Sequence, residues 1–172
     1  GLYETICVTL AHTGWLAGTG ALWGTDARDM AKSDLIVIWG TNPVSTQINV
    51  MSHVTRARKE RGAKIVTIDP YRTGTAKSSD IHLALRPGTD GALAVGVMHV
   101  LFAEGYADRD YMARHTDDPE RLEQHLKEKT PAWAADSVAK NSSWESSLKR
   151  RSCGQFRRSL LALPSPCVTI RP

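Results

Sequence analysis

The sequence predicts an α/β fold in which a mostly parallel sheet is covered by helices on both faces. Three short apolar runs rich in β-branched residues have the length of strands, and they lie at 34–40, 64–69 and 81–85. Helical patterns alternate with these runs, and glycine or proline residues separate the elements. This β-α-β-α-β-α order is typical of a doubly wound parallel sheet, since parallel neighbours need a crossover connection.

The first strand is the most apolar of the three. The run from Asp34 to Gly40 has five consecutive apolar residues, which predicts a parallel strand buried on both faces. The second strand runs from Lys64 to Asp69 and is ended by Pro70, while the third, at 81–85, is shorter. Right-handed crossovers place the loops that follow all three strands at one edge of the sheet.

Helices are predicted between and after the strands. The longest runs from Ser45 to Arg61, with apolar residues along one face, and Gly62 is its C-terminal stop. Another begins at Asp90, where Thr89 or Asp90 is the expected cap. The full set of predicted ranges is 25–32, 45–61, 71–78, 90–104, 108–115 and 119–129.

Composition divides the chain into three segments. Residues 1–33 are rich in Gly and Thr, which predicts irregular loops apart from a short helix capped by Thr25 or Asp26. Residues 34–135 carry the alternating strands and helices of the α/β domain. Residues 136–172 are rich in Ser and Arg and follow neither the helical nor the strand period, so an irregular basic tail is expected there.

The net charge of +4 belongs to the tail rather than to the domain. Residues 1–136 hold 15 basic and 17 acidic residues, whereas residues 137–172 hold seven basic residues and one acidic residue. A nucleic-acid partner is therefore not expected, because the domain itself lacks a basic surface. No apolar run approaches the length of a transmembrane helix, so no membrane partner is expected either.

The cysteines also restrict the function. Cys7, Cys153 and Cys167 are odd in number and far apart, which argues against a disulfide framework and favours a reducing, cytoplasmic location. No Cys-x-x-Cys pair exists, so this chain alone builds neither a zinc ribbon nor a cysteine-ligated iron–sulfur cluster.

Three loops after the strands carry groups that bind nucleotides, and ligands of open parallel sheets bind at such loops. Asn42 and Ser45 follow the first strand, just after Gly40, which lets a ligand approach the backbone. Asp69 is placed to bind ribose hydroxyls, and Arg72 can meet a phosphate. These residues also have simpler interpretations, as a turn after the first strand and as a carboxylate that caps its own turn.

The third loop holds Gly88, Thr89 and Asp90. The carboxylate of Asp90 can accept hydrogen bonds from the amino and imino groups of a guanine, although Thr89 and Asp90 can equally be a helix cap. No Gly-x-Gly-x-x-Gly follows the first strand, which argues against an ordinary NAD site. From the residues alone, the expectation is a nucleotide-containing ligand of open identity.

The same three loops, in this order and spacing, resemble those of molybdopterin oxidoreductases of the dimethyl-sulfoxide reductase and formate dehydrogenase type. The likeness covers roughly residues 5–135 and is carried by Ser33 to Pro43, Gly62 to Ala76 and Asp80 to Leu93. The resemblance implies a Rossmann-like three-layer domain that holds the guanosine end of a molybdopterin guanine dinucleotide with molybdenum or tungsten. It implies cofactor contacts by Gly40, Asn42, Ser45, Asp69, Arg72, Gly88, Thr89 and Asp90.

Members of that family carry a Cys, selenocysteine or Ser that ligates the metal near the start of this region, often followed by His. The alignment sets Ala11 at the ligand position and His12 at the histidine. Because alanine cannot ligate a metal, no protein ligand to the metal is predicted. His12 is the candidate catalytic residue, as a proton relay, or else an ordinary polar histidine. Cys7 is interpreted as a buried small hydrophobe, and a thiolate ligand to the metal is the alternative role for it.

Such enzymes begin with a domain that binds a 4Fe-4S cluster and continue well beyond this region, so a fragment that is inactive alone is expected. Redox chemistry, by oxygen-atom or by hydride and electron transfer, would need the missing domains. The alternatives are a non-catalytic remnant and a stand-alone α/β nucleotide-binding or interaction module. The expected partners are the pterin dinucleotide and the missing domains or a separate subunit. Exposed apolar surface also predicts self-association.

Overall fold

A computed structural model describes residues 6–22 and 24–139 of the 172. Three strands and a series of short helices alternate along this part of the chain. In order they are α1 (Ile6–Thr19), a 3₁₀ helix (Ala27–Lys32), β1 (Leu35–Trp39), α2 (Pro43–Thr46), α3 (Ile48–Arg61), β2 (Lys64–Ile68), α4 (Gly74–Ser78), β3 (Ile81–Leu83), α5 (Asp90–Ala103), α6 (Arg109–His115), α7 (Pro119–Leu126) and α8 (Pro131–Ala139).

The strands form a parallel sheet in the order β1-β2-β3, which confirms the predicted fold class. Ile36 of β1 is paired in register with Ile65 of β2, and Val66 of β2 with Ile81 of β3. Each connection between neighbouring strands contains helices, as parallel strands require. The predicted strands at 34–40, 64–69 and 81–85 are therefore confirmed, with boundaries one or two residues shorter.

Helices cover both faces of the sheet and make the domain three-layered. On the α3 face, Ile36, Ile38 and Ile65 pack with Val54 and Ala57 of α3. On the α5 face, the buried residues of β2 pack against α5 and α8, through Val66, Ile68, Leu93, Ala135 and Val138. Side chains of β2 are buried in both directions because this strand is the central one.

The prediction that β1 is buried on both faces is wrong. Leu35, Val37 and Trp39, which point to the α5 face, are 38%, 51% and 38% exposed, while Ile36 and Ile38 between them are buried. The physical reason is position, since β1 is an edge strand of the described sheet and α5 and α8 pack over the other two strands. An apolar run does not reveal whether a second helix layer reaches it.

The single helix predicted from Ser45 to Arg61 is in fact two. Gln47, with φ −145° and ψ 58°, separates α2 from α3 because it leaves the helical region. The other helices agree with the sequence in position. Gly62 ends α3, Asp26 caps the 3₁₀ helix through the amide of Arg28, and α5, α6 and α7 lie where predicted.

The N-terminal segment is more regular than predicted, because Ile6–Thr19 forms α1. The hydroxyls of Thr13 and Thr19 donate to the carbonyls of Thr9 and Trp15, each four residues earlier, at 2.8 Å. These bonds satisfy the polar side chains within the helix and so remove their usual preference for turns. The expectation of irregular loops is therefore wrong over this range.

At the other end, α8 crosses the predicted start of the tail at Asp136 and ends at Ala139. The remaining residues of that predicted tail, 140–172, lie outside the described residues. Helix α8 packs closely on α5, because a Cβ atom added to Gly96 would lie 2.6 Å from the Cβ atom of Ala134. Across the described ranges, no helix has the length and apolar character needed to cross a bilayer.

Candidate functional site at the strand ends

The three loops singled out in the sequence meet at the carboxyl edge of the sheet. Backbone hydrogen bonding between neighbouring strands continues one residue past the ends of β1 and β2. The Gly40 amide donates to the Ile68 carbonyl at 2.9 Å, and the Asp69 amide donates to the Leu83 carbonyl at 3.1 Å. The loops after β1, β2 and β3 therefore lie side by side. This is the edge at which open parallel sheets bind their ligands.

The first loop turns at Gly40, whose φ of +64° favours glycine and leaves no side chain at the strand end. Asn42 is tied to the second loop, because its Oδ1 accepts from the hydroxyl of Thr75 at 2.6 Å and from the Thr75 amide at 3.4 Å. Its Nδ2 donates to the hydroxyl of Ser45 at 3.1 Å. The side chain of Asn42 thus holds two loops together.

Thr75 is a site residue that sequence reasoning missed. It is completely buried in the first turn of α4, and besides the contact with Asn42 its Oγ1 accepts from the Val44 amide at 3.2 Å. Its carbonyl accepts from the hydroxyls of Ser78 and Ser79 at 2.8 Å. A threonine in the first turn of a short helix is too common to signal this role in a sequence.

The second loop is anchored at Asp69, which is half-buried. Its carbonyl oxygen accepts a hydrogen bond from Nε2 of His82 at 2.8 Å, and its Oδ1 accepts from the Tyr71 amide at 2.7 Å. The capping of its own turn, foreseen as one interpretation, is therefore present. Among the described residues nothing donates to Oδ2, so one carboxylate oxygen is left for a ligand. Arg72 follows on the exposed surface.

The third loop turns at Gly88, whose φ is +83°. Thr89 is the N-cap residue of α5, but its buried hydroxyl donates to the Arg86 carbonyl at 2.6 Å and makes no capping bond. Asp90 is the first residue of α5 and is exposed. Its Oδ1 accepts from Nε1 of Trp39 at 2.7 Å, which joins the third loop to the end of β1.

The remaining candidate, His12, is not joined to these loops. It is exposed on α1, and in the described part of the chain no hydrogen bond connects it to the strand ends. Within residues 6–22 and 24–139, no three His, Cys, Asp or Glu side chains come together as a metal site. The role of His12 therefore stays a prediction.

A charged groove of about 640 Å³ lies elsewhere, between the 3₁₀ helix and α3. Its cations are already paired, and the Arg28 side chain and amide hydrogen bonds lower the pKa of Asp26 to about 2. The ion pair of Arg61 with Asp34 places one end of the groove near the amino ends of the strands. Among the described residues, every cation that lines this groove is paired with a carboxylate, which makes the groove a weaker candidate for binding a phosphate group.

The fold and the strand-end edge define a Rossmann-like α/β domain with its polar loops where ligands bind. The chain belongs to the molybdopterin oxidoreductase family, whose match covers residues 7–151. Membership implies a molybdopterin cofactor with molybdenum or tungsten. The resemblance stated from the three loops is therefore confirmed.

Relatives from bacteria and archaea are similar over three quarters of the chain. The probable oxidoreductase YoaE of Bacillus subtilis is 36% identical over 130 residues, which cover 76% of this chain and 19% of the relative. The F420-dependent formate dehydrogenase subunit alpha of Methanocaldococcus jannaschii is 35% identical over 134 residues, which cover 75% and 20%. The chain thus spans about a fifth of the length of these relatives.

The structure resembles acetylene hydratase from Pelobacter acetylenicus with a TM-score of 0.65. The sequences are 22% identical, and the match covers 90% of this chain and 19% of that protein. The TM-score supports the fold. Because the identity is only 22%, the likeness carries no functional detail. Since the relatives are much larger enzymes or subunits, other domains or subunits accompany the corresponding region in them.

Proposed function

We propose that this chain holds the guanosine end of a molybdopterin guanine dinucleotide, as one part of a larger molybdenum or tungsten oxidoreductase. The observation that carries this proposal is the meeting of the three loops at one edge, where Asn42–Thr75 and Trp39–Asp90 hydrogen bonds join them. Family membership supplies the class of cofactor. The loops supply carboxylate oxygens and a guanidinium group. They also turn at Gly40 and Gly88, which have no side chain to block a ligand.

Each loop has a distinct task in this proposal. Oδ2 of Asp69 accepts from the ribose hydroxyls, Arg72 binds the pyrophosphate, and the carboxylate of Asp90 accepts from the guanine. Gly40 and Gly88 let the ligand approach the backbone. When bound, the cofactor supplies oxygen-atom transfer, or hydride and electron transfer, at its metal. That chemistry needs the rest of the enzyme, so the chain alone is inactive.

The expected partners of the chain follow from the fact that it matches only about a fifth of the length of its relatives. We expect the remaining domains of the same enzyme, or a separate subunit, to pack on it and enclose the cofactor. Exposed apolar residues such as Leu35 and Val37 make self-association of the isolated chain the expected behaviour.

The scattered cysteines support a cytoplasmic location. His12 is proposed as a proton relay near the metal.

Nucleotide titration of the purified full chain tests the proposal. By isothermal titration calorimetry, GDP is expected to bind at least about tenfold more tightly than ADP, because adenine offers no donor pair to Asp90. The substitution Asp69→Asn should weaken GDP about tenfold, since a charge-assisted hydrogen bond becomes a neutral one. The matched control Asp26→Asn, in the charged groove, should leave the affinity unchanged.

The absence of saturable GDP binding, or equal binding of GDP and ADP, would contradict the proposal. A second measurement uses the chain purified from cells that make the cofactor. Metal analysis by mass spectrometry and fluorescence of the oxidised pterin should then find molybdenum or tungsten with a pterin dinucleotide. An empty chain that also fails to bind GDP favours a non-catalytic remnant.

A further inference from the structure

Trp39 makes a long-range contact that core packing does not explain. It is the last residue of β1, and its Nε1 donates to Oδ1 of Asp90, 51 residues later, at 2.7 Å. The side chain is 38% exposed, and its neighbours on the α5 face of β1, Leu35 and Val37, are exposed as well. Trp39 belongs to neither of the two described core clusters, and its indole directs a donor across the strand-end edge.

The contact fixes the carboxylate at the start of α5. Asp90 is exposed, and an exposed aspartate ordinarily samples several side-chain rotamers. The indole N–H holds Oδ1 in one place. Each carboxylate oxygen has two lone pairs, so Oδ2 and one lone pair of Oδ1 remain for a ligand. No described residue donates to Oδ2.

A carboxylate held in this way distinguishes purine bases. Guanine presents two adjacent donors, N1–H and the 2-amino group, which match the two oxygens of a carboxylate. Hypoxanthine has only the first of these donors. Adenine places the N1 lone pair there, which repels a carboxylate. The gain from a matched pair depends on orientation, because hydrogen bonds weaken steeply away from a straight geometry.

We infer that Trp39 is the positioning residue that orients Asp90 to select guanine over hypoxanthine and adenine at this edge. The inference rests on the proposed function, because it concerns how the same site recognises the base. Trp39 itself need not touch the ligand. Its contribution is the preorganisation of a group that does, which reduces the entropy lost on binding.

The test compares GDP, IDP and ADP binding by calorimetry in the full chain and in Trp39→Phe. Phenylalanine keeps an aromatic ring but removes the donor. We expect GDP to bind about tenfold more weakly in the variant, with ADP changed less than about twofold, so that the preference for GDP falls. Trp133→Phe is the matched control, a half-buried tryptophan on α8, and should keep the preference of the wild type.

The ratio of the affinities separates positioning from general destabilisation, since a loosened fold weakens all three nucleotides alike. A Trp39→Phe chain that binds GDP with an unchanged preference overturns this inference and leaves the proposed function intact. A wild-type chain that binds no GDP overturns the proposed function, and base selection with it.

A nucleotide-free measurement examines the contact itself. In a ¹H–¹⁵N NMR spectrum, the indole N–H signal of Trp39 is the one of five that disappears in Trp39→Phe. This signal should move to lower chemical shift in Asp90→Asn, because a neutral amide accepts more weakly than a carboxylate. An unmoved signal overturns the inference even where GDP binds.

Discussion

The two faces of the sheet are covered to different extents. On the α3 face the side chains of both β1 and β2 are buried, as Ile36, Ile38 and Ile65 show. On the α5 face the cover stops at β2, so Val66 is buried while its partner in register, Val37, is 51% exposed. The sequence of β1 is apolar on both faces, so the difference in exposure comes from which helices reach the strand.

The exposed face of β1 belongs to a chain that spans about a fifth of the length of its relatives. The α3 helix covers Ile36 and Ile38 of β1, whereas Leu35, Val37 and Trp39 leave apolar surface on the other side. The response to a substitution should therefore depend on whether a helix covers the position that carries it. Three sets of variants test this, beginning with the largest expected effect.

The packing of α8 on α5 should be the most sensitive feature of the α5 face. Gly96→Ala places a methyl group 2.6 Å from the Cβ atom of Ala134, which is fully buried. Such overpacking is expected to lower the free energy of unfolding by about 1–3 kcal/mol, measured by urea unfolding. Adding Ala134→Gly should recover part of this loss, because it restores the space.

Gly91→Ala is the matched control on the same helix. A Cβ atom at Gly91 meets no atom of the described residues within 4 Å, so this change should be neutral or stabilise by up to about 1 kcal/mol. Equal effects at the two glycines would show that steric contact with α8 is not what Gly96 avoids.

The same substitution at two paired positions measures the unequal cover directly. Val66→Thr buries a hydroxyl among apolar side chains and should destabilise by about 1–3 kcal/mol. Val37→Thr changes an exposed side chain in the same register and on the same face, and should stay within about 0.5 kcal/mol. If Val37→Thr costs as much as Val66→Thr in urea unfolding, β1 is covered in solution, most simply by self-association.

Asp80 joins α3 to β2 through hydrogen bonds, and replacing it should have a smaller, pH-dependent effect on the free energy of unfolding. Oδ2 of Asp80 accepts from the Ile65 amide and from the Arg58 guanidinium, both at 2.8 Å. Burial is the largest single influence and raises the pKa of Asp80. The hydrogen bonds from Ile65 and Arg58 and the positive charges of Arg58 and Lys64 together outweigh it, so the pKa lies below its usual value.

A lowered pKa means that the carboxylate stabilises the fold above the ordinary carboxyl pKa and that this contribution is lost as the pH falls through the folded-state value. Asp80→Asn should therefore cost about 1 kcal/mol at pH 7, and the difference from the wild type should shrink in acid. Urea unfolding of both proteins between pH 7 and pH 3 measures this difference, since the ordinary pKa of an aspartate is about 3.9. A difference independent of pH would mean that the charge of Asp80 is not involved.

Much of the candidate site was predictable because its residues follow recognisable strands. Gly40, Asp69 and Asp90 each come within a few residues of an apolar run, and parallel strands bring such positions to one edge. Thr75 and Trp39 were not predictable as site residues. Their roles depend on partners 33 and 51 residues away, Asn42 and Asp90, and neither distance appears as a pattern in sequence.

Errors in the predicted fold have a similar origin. The break at Gln47 and the helix at Ile6–Thr19 are local departures from propensity, which tertiary contacts and side-chain hydrogen bonds readily override. Helix α8 continues past the predicted boundary at 135/136 and packs on the α5 face, as Ala135 and Val138 show. A change in composition at Asp136 does not mark the end of that contact.

The sequence alone determined the parallel α/β architecture, the three loops and the resemblance to molybdopterin oxidoreductases. These depend on local runs of apolar residues, on glycines and on carboxylates at strand ends, which neighbouring residues along the chain encode. Only the tertiary structure decided which face of β1 is covered, which carboxylate oxygens are held, and that Asn42 and Trp39 join one loop to another. Those features require segments distant in sequence to meet, because layer packing and hydrogen-bond geometry exist only after the chain has folded.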